Sequence, residues 1–318
     1  MKKILITGAS GFVGGYLAEY LLTLNKYDIY GTYRSESSKE ASSVKDTITF
    51  LQVDLQDKEQ LKKVLSEVRP DGIFHLAAQA AIGESIKNPL QTLHNNIDSE
   101  LLLFESLREL EMVQTKVLIV LSADVYGYVQ PEDLPIDEDT PFRPGNPYAV
   151  SKVACDFLAY QYGRSYKMPI IRVRPFTHIG PGQKTGFVTS DFAKQIAEIE
   201  KGSQEPIIKV GNLDAKRDFT DVRDVVRAYA LLMEKGESGE VYNIGSGVSH
   251  KVEEILQYFM KNAKVKITKE TDPNKLRPSD IPDFVADYSK LQKLTGWKPE
   301  IPFEQSLNDI LEYWRKTV

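Results

Sequence analysis

A single cysteine, Cys155, in 318 residues leaves no intrachain disulfide to form, and the four histidines (His75, His94, His178, His250) are scattered without metal-ligand spacing. So thiol-poor a chain fits a reducing cytoplasm. No run approaches the roughly eighteen continuous apolar residues that would span a bilayer. Met1-Lys2-Lys3 passes at once into Ile4-Leu5-Ile6 and then glycines, too short an apolar stretch for a secretory leader. A basic block is also missing: 40 Lys and Arg stand against 45 Asp and Glu, a net charge of −5, which disfavours a nucleic-acid partner. Internal repeats, low-complexity tracts and heptads are absent.

What is present is an ordinary globular composition, 42% hydrophobic, 27% charged and 10% aromatic, enough to bury a sizeable core. The length suggests about two domains. In the first half short apolar runs alternate with segments of helical spacing, the pattern of a parallel sheet covered on both faces. Strands are expected at Lys3–Thr7, Asp28–Thr32, Thr49–Val53, Gly72–Leu76, Lys116–Leu121 and Pro169–Val173, with helices at Phe12–Leu24, Lys58–Val68, Pro89–Leu110 and Pro147–Tyr166. The predicted fold is α/β, a Rossmann-type doubly wound parallel sheet of six strands over residues 1–174. After Arg174 the breaker cluster Gly180-Pro181-Gly182-Gln183 opens a smaller lobe over 175–318, some segments of which are expected to return to the first domain. That lobe should hold helices at Thr189–Glu200, Arg223–Met233, Val252–Lys261 and Phe303–Trp314, and strands at Ile207–Val210 and Val241–Ile244.

The first strand runs into Thr7-Gly8-Ala9-Ser10-Gly11-Phe12-Val13-Gly14-Gly15 and a helix. Gly8 permits the tight turn, Gly11 lets backbone approach a pyrophosphate at the positive helix end, and Gly14 allows helix and strand to pack closely. An NAD-binding protein places a carboxylate at the tip of its second strand, but here the tip reads Gly31-Thr32-Tyr33-Arg34-Ser35. Arg34 suits a 2′-phosphate, so NADP(H) is preferred and NAD(H) remains possible. Asp54, closing the third strand, is placed either to meet the adenine amino group or to cap the next helix.

Tyr148 and Lys152 lie one helical turn apart on one face, so a phenol and an ammonium can share a cleft. The ammonium would lower the phenol's pKa and let Tyr148 exchange a proton with a carbonyl or alcohol oxygen. Ser122, ending the fifth strand, supplies a second hydrogen bond to that oxygen.

Together with Thr7 to Gly14, His75-Leu76-Ala77-Ala78 and Ser122 to Gly127, this segment resembles the extended short-chain dehydrogenase/reductase family of nucleotide-sugar enzymes, over essentially the whole chain. Within that family, Asn146 to Lys152, Gly180 to Gln183, Gly186 to Ile196, Glu205 to Asn212, Arg217 to Asp224 and Leu276 to Asp280 are most similar to the reductases of GDP-4-keto-6-deoxy-D-mannose. The resemblance implies an NADPH-dependent reduction at C4 that yields GDP-D-rhamnose, with Ser122, Tyr148 and Lys152 catalytic. Ser10, Phe12, Val13, Leu55, Leu76, Ala77, Ala78 and Asn96 would join the glycines, Arg34, Asp54, Tyr148 and Lys152 around the dinucleotide. Asn96 alternatively serves as a helix cap. Gln79 and Ser85 would lie near the hexose, with Asp124, Thr177 and His178. Val188, Lys194, Lys209, Arg217, Arg277 and Asp280 would hold the nucleotide and its phosphates, where arginine forks suit the diphosphate. No metal is implied. A homodimer is, through Leu101, Leu102, Phe104, Phe157 and Tyr160 on the two long helices.

Two departures bear on this. Thr177 stands in Arg174-Pro175-Phe176-Thr177-His178 where related chains often carry Asn, which weakens one substrate hydrogen bond. Asp124 stands where related 4,6-dehydratases use a longer glutamate to take the C5 proton, which makes dehydration less favoured. A GDP-6-deoxy-D-talose-forming reductase, a GDP-mannose 4,6-dehydratase and a catalytically silent nucleotide sensor remain the alternatives. Cys155 reads as a packed core thiol and His178 equally as a structural histidine.

Overall fold

In the first half each apolar strand alternates its side chains between two helical layers, and the order in which the strands pair fixes where a ligand can sit. A computed structural model describes residues 1–40, 42–273 and 283–318. Seven parallel strands lie in the spatial order Val241–Ile244, Ile170–Pro175, Lys116–Val120, Gly72–His75, Lys2–Thr7, Tyr27–Tyr33 and Thr49–Gln52. Strand order reverses between Lys2–Thr7 and Gly72–His75. A crevice therefore opens at their carboxyl ends, where such sheets bind ligands.

Ile4, Ile6, Phe74, Leu118 and Val173 face the helices Phe12–Thr23 and Val222–Lys235. Their neighbours Leu5, Ile73, Val117 and Ile119 face Lys58–Val68, Pro89–Glu109 and Pro147–Tyr166. A separate core, built on Phe192, Ile196, Ile208, Phe219, Ile255, Phe259 and Leu307, joins the helices Val188–Glu200, Val252–Lys261 and Phe303–Thr317 to the strands Ile207–Val210 and Lys216–Asp221.

The sheet has seven strands rather than the expected six. Val241–Ile244 pairs with Ile170–Pro175, and Val222–Lys235 packs on the sheet beside Phe12–Thr23, so these elements belong to the first domain's layers. Leu291 and Trp297 join the same core, the Trp297 indole N–H donating to the Asp224 carbonyl at 3.0 Å. An apolar strand or helix does not reveal from its own residues which of two cores it enters. The strands Thr177–Ile179, Ser249–Lys251 and Thr268–Thr271 and the short helices Ile82–Lys87 and Ser289–Thr295 were not anticipated either. No helix among the described residues is long and apolar enough to cross a membrane.

Candidate active site

The glycine turn is closed by backbone. Gly8 has φ +73°, and the Gly11 N–H donates to the Gly8 carbonyl at 2.9 Å. A Cβ on Gly14 would stand 2.3 Å from the Gly8 carbonyl oxygen and 2.7 Å from Ala9 Cα, so helix and turn touch only because a side chain is missing. No side chain caps the helix at Gly11, which leaves its first-turn N–H groups directed at the turn mouth. Thr7 and Thr32 brace the turn: Thr32 Oγ1 accepts from Gly8 N at 3.2 Å, and Thr7 Oγ1 accepts from Ala77 N at 3.3 Å. These features fit the pyrophosphate of a dinucleotide.

At the second-strand tip Glu36 accepts from the Tyr33 hydroxyl at 2.6 Å and lies 3.8 Å from Lys39 Nζ. It is thus turned away from a ribose role, and Arg34 is exposed. The Ser10 hydroxyl reaches Ser38 Oγ at 3.4 Å, which brings the glycine turn and the second-strand tip together, a contact unseen in the sequence. Asp54 accepts from Gln56 N at 3.0 Å and does not cap the following helix; Asp57 does, taking Glu59 N and Gln60 N. Leu55, Leu76 and Phe12 are half-buried along this wall, with Val13.

Ser122, Tyr148 and Lys152 converge at the carboxyl ends of the strands. Ser122 caps the turn Ala123–Val125, accepting from Asp124 N at 3.1 Å, and its hydroxyl stands beside the Tyr148 phenol. Asn146 Oδ1 accepts from Ala149 N at 2.9 Å and caps the helix that carries Tyr148 and Lys152. The expected depression of the Tyr148 pKa is not found: burial and the Asp124 charge hold the phenol well above its ordinary range, with the Ser122 hydroxyl opposing them. The reason is where Lys152 points. Its Nζ donates to the Val120 carbonyl at 2.8 Å, and its charge acts on Glu100, Cys155 and His75 instead. His75, hydrogen-bonded to Thr7 Oγ1 at 3.0 Å, is buried and held neutral, its pKa down at about 3.

Asn96 lies inside the Pro89–Glu109 helix rather than at its cap. Its Oδ1 accepts from Gln79 N at 2.7 Å, while its Nδ2 donates to Gln79 O at 3.1 Å and to Ser151 Oγ at 2.9 Å. Asn96 thereby pins the loop after the fourth strand to the Tyr148 helix. Gln79 Nε2 donates to Ala81 O at 3.1 Å, and its buried Oε1 has no partner among the described residues. Ser85 is buried with its hydroxyl donated to Ile82 O at 2.7 Å. Cys155 is buried, its thiol pKa raised by burial, as a core thiol should be.

Candidates from the second lobe are engaged in contacts of their own. The His178 ring stacks 6.4 Å from Phe12, its Nδ1 lies 3.2 Å from Phe176 O, and burial lowers its pKa. Thr177 is half-buried on the same short strand. Val188 packs against the second core. Lys194 pairs with Glu198 at 3.5 Å, Lys209 with Glu270 at 2.7 Å, and Arg217 donates to Lys216 O at 2.7 Å. Arg277 and Asp280 lie outside the described residues. Sequence reading missed Ser38, Ser151 and Glu100. Asn96 and Glu100 share their helix face with buried Leu103 and Leu107, and polar residues at core spacing were the available signal.

The sequence pattern of the family described as GDP-mannose 4,6 dehydratase matches residues 5–310. A GDP-6-deoxy-D-mannose reductase of Pseudomonas aeruginosa is 36% identical over 321 residues, covering 100% of this chain and 98% of its own. A GDP-mannose 4,6-dehydratase of Vibrio cholerae is 30% identical, covering 96% and 91%. The solved structure of RMD from Pseudomonas aeruginosa complexed with NADPH superposes with a TM-score of 0.87 at 35% identity, covering 100% of both chains.

Proposed function

The chain belongs to the GDP-mannose 4,6-dehydratase family, and from that premise we propose that it is an NADPH-dependent reductase of GDP-4-keto-6-deoxy-D-mannose. Its product on this reading is GDP-D-rhamnose. The observation that carries the reading is Ser122 beside Tyr148 at the carboxyl end of the sheet, near a glycine turn whose N–H groups suit a pyrophosphate. NADPH, when bound, supplies the hydride that the ketone carbon takes up.

Tyr148 gives its proton to the C4 oxygen, and the raised pKa suits this role, because the phenol is fully protonated over the working range. Ser122 donates to the same oxygen and meets the alkoxide charge as it develops. The glycine turn and Arg34 hold the dinucleotide, with Ser38 joining Ser10 at the 2′-phosphate. Glu36, tied to Tyr33, places no competing charge there. Gln79 and Ser85 lie toward the hexose, and Lys194, Lys209 and Arg217 toward the GDP end, exchanging their present ion pairs and hydrogen bonds for phosphate.

Asp124 lies close enough to Tyr148 to raise its pKa, but its short side chain favours reduction over dehydration. The product is assigned to the D-rhamno rather than the 6-deoxy-D-talo configuration on the strength of the 36% identical relative. The working unit is a homodimer in the cytoplasm, formed through Phe157 and Tyr160, exposed on the Tyr148 helix with Val150, whereas Leu101 and Leu102 pack, partly buried, against the first core. Phe104 plays no part in that surface, being fully buried and stacked 4.9 Å from Tyr162.

Mixing the protein with NADPH and GDP-4-keto-6-deoxymannose should consume reduced nicotinamide, with NMR of the product showing the D-rhamno configuration. No consumption, with the cofactor bound, would refute the activity.

A further inference from the structure

The proposed reaction leaves one buried acid without a role. Glu100 is 1% exposed on the Pro89–Glu109 helix, one turn beyond Asn96, and faces the helix that carries Lys152. Its Oε1 has no hydrogen-bond partner, and it belongs to no close ion pair among the described residues. The Cys155 thiol, on the Lys152 helix, donates to the Asn96 carbonyl at 3.5 Å, one turn before Glu100, so the two helices meet where Glu100 is buried. A carboxyl in such a place is costly unless it is neutral or answers a nearby cation.

Lys152 is the cation. It is 6% exposed, and the hydrogen bond it makes is donated to the Val120 carbonyl at 2.8 Å, an acceptor that stabilises an ammonium but brings no charge. Asp156, next along the same helix, cannot balance it, because its two oxygens accept from Arg172 at 2.5 Å and Arg174 at 2.7 Å. His75, on the strand beside Lys152, is neutral, and the Cys155 thiol stays protonated.

We propose that Glu100 is the buried counter-charge of Lys152, a positioning residue that as a carboxylate keeps the lysine an ammonium and touches the reaction only through it. The catalytic consequence rests on the reading that Lys152 serves this site. Burial pushes the Glu100 carboxyl up to about 8 and pushes Lys152 down, while the Glu100 charge opposes the latter. On the acid side Glu100 is neutral and Lys152 keeps its proton unaided. As pH rises Glu100 ionises, and its charge then holds the lysine proton in place. Glu100 thus extends the ammonium form toward alkaline pH.

The test titrates isotope-labelled lysine by NMR in the full chain, with Lys152 assigned from its loss in Lys152→Met, beside the pH profile of NADPH-dependent turnover. Glu100→Gln preserves shape and removes charge. Lys152 should then release its proton about tenfold more readily, and the alkaline limb of turnover should move to lower pH by the same factor, while Glu100→Asp largely restores both. An unchanged Lys152 titration in folded Glu100→Gln overturns the proposal. If the lysine titration moves and the turnover limb does not, the pairing stands and the catalytic reading of Lys152 fails instead. Should Glu100→Gln not fold, carboxyl-carbon NMR of Glu100 in the native chain decides. Proton release by Glu100 while Lys152 is still an ammonium, with a matching change in the Lys152 signal, supports the pairing, and a carboxyl that stays protonated until Lys152 has lost its proton overturns it.

Discussion

The turn from Thr7 to Gly15 and the seam between the Pro89–Glu109 and Pro147–Tyr166 helices flank the same strand ends and are built from opposite materials. The turn is made of backbone: its closest approaches involve the Gly8 carbonyl, Ala9 Cα and the Ala77 backbone, and its ligand groups are N–H donors. The seam is made of buried side chains, Asn96 and Glu100 from one helix and Ser151, Lys152 and Cys155 from the other, two stretches far apart in the chain. A wall of backbone fails when an atom is added. A wall of side chains tolerates some change of shape and fails when a hydrogen-bonding group or a charge is lost.

The largest effect should follow from Tyr148→Phe, at the end of the seam. Turnover should fall by about a thousandfold while calorimetric NADPH binding is preserved. Loss of NADPH binding in that variant would show that turn and seam are one unit. Gly14→Ala tests the opposite wall, since the added methyl meets the Gly8 carbonyl oxygen at 2.3 Å. Destabilisation of about 3 kcal/mol in urea and loss of most NADPH affinity are expected, and near-native binding would mean the turn yields easily.

Asn96→Ala should cost about 2 kcal/mol of stability, since it strands the buried partners at Gln79 and Ser151. It should lower turnover more than cofactor affinity, and an effect on affinity alone would assign Asn96 to the turn. The smallest effect belongs to exposed Arg34. Arg34→Ala should raise the KM for NADPH about tenfold and leave that for NADH nearly unchanged. Equal changes would remove Arg34 from the 2′-phosphate.

The alternation of apolar strands and amphipathic helices is locally encoded, so the doubly wound sheet was legible, as was the glycine turn, whereas the pairing of Tyr148 with Lys152 was not, since Lys152 donates to the Val120 carbonyl. Val241–Ile244 was not, because an apolar strand says that it is buried and not in which core. Asp57 rather than Asp54 caps its helix, a difference of three residues that side-chain geometry decides. Phe104 and Phe157 lie on the same helical pair and look alike in sequence. One fills the core and stacks on Tyr162, while the other lies on Tyr162's own helix, meets Phe142 edge-on at 5.8 Å and stays exposed.

By itself the sequence determined what depends on neighbours along the chain: the turn that can hold a pyrophosphate, the helical spacing that puts a phenol and an ammonium on one helix face, and a second-strand tip, Gly31 to Ser35, without a carboxylate. Only the tertiary structure decided how those groups are charged. Lys152 donates to the Val120 carbonyl, and burial together with the Asp124 charge raises Tyr148, so the tyrosine is held as a proton donor rather than a phenolate. Ionisation follows burial and the distance to charges, and both are set by residues far apart in the chain.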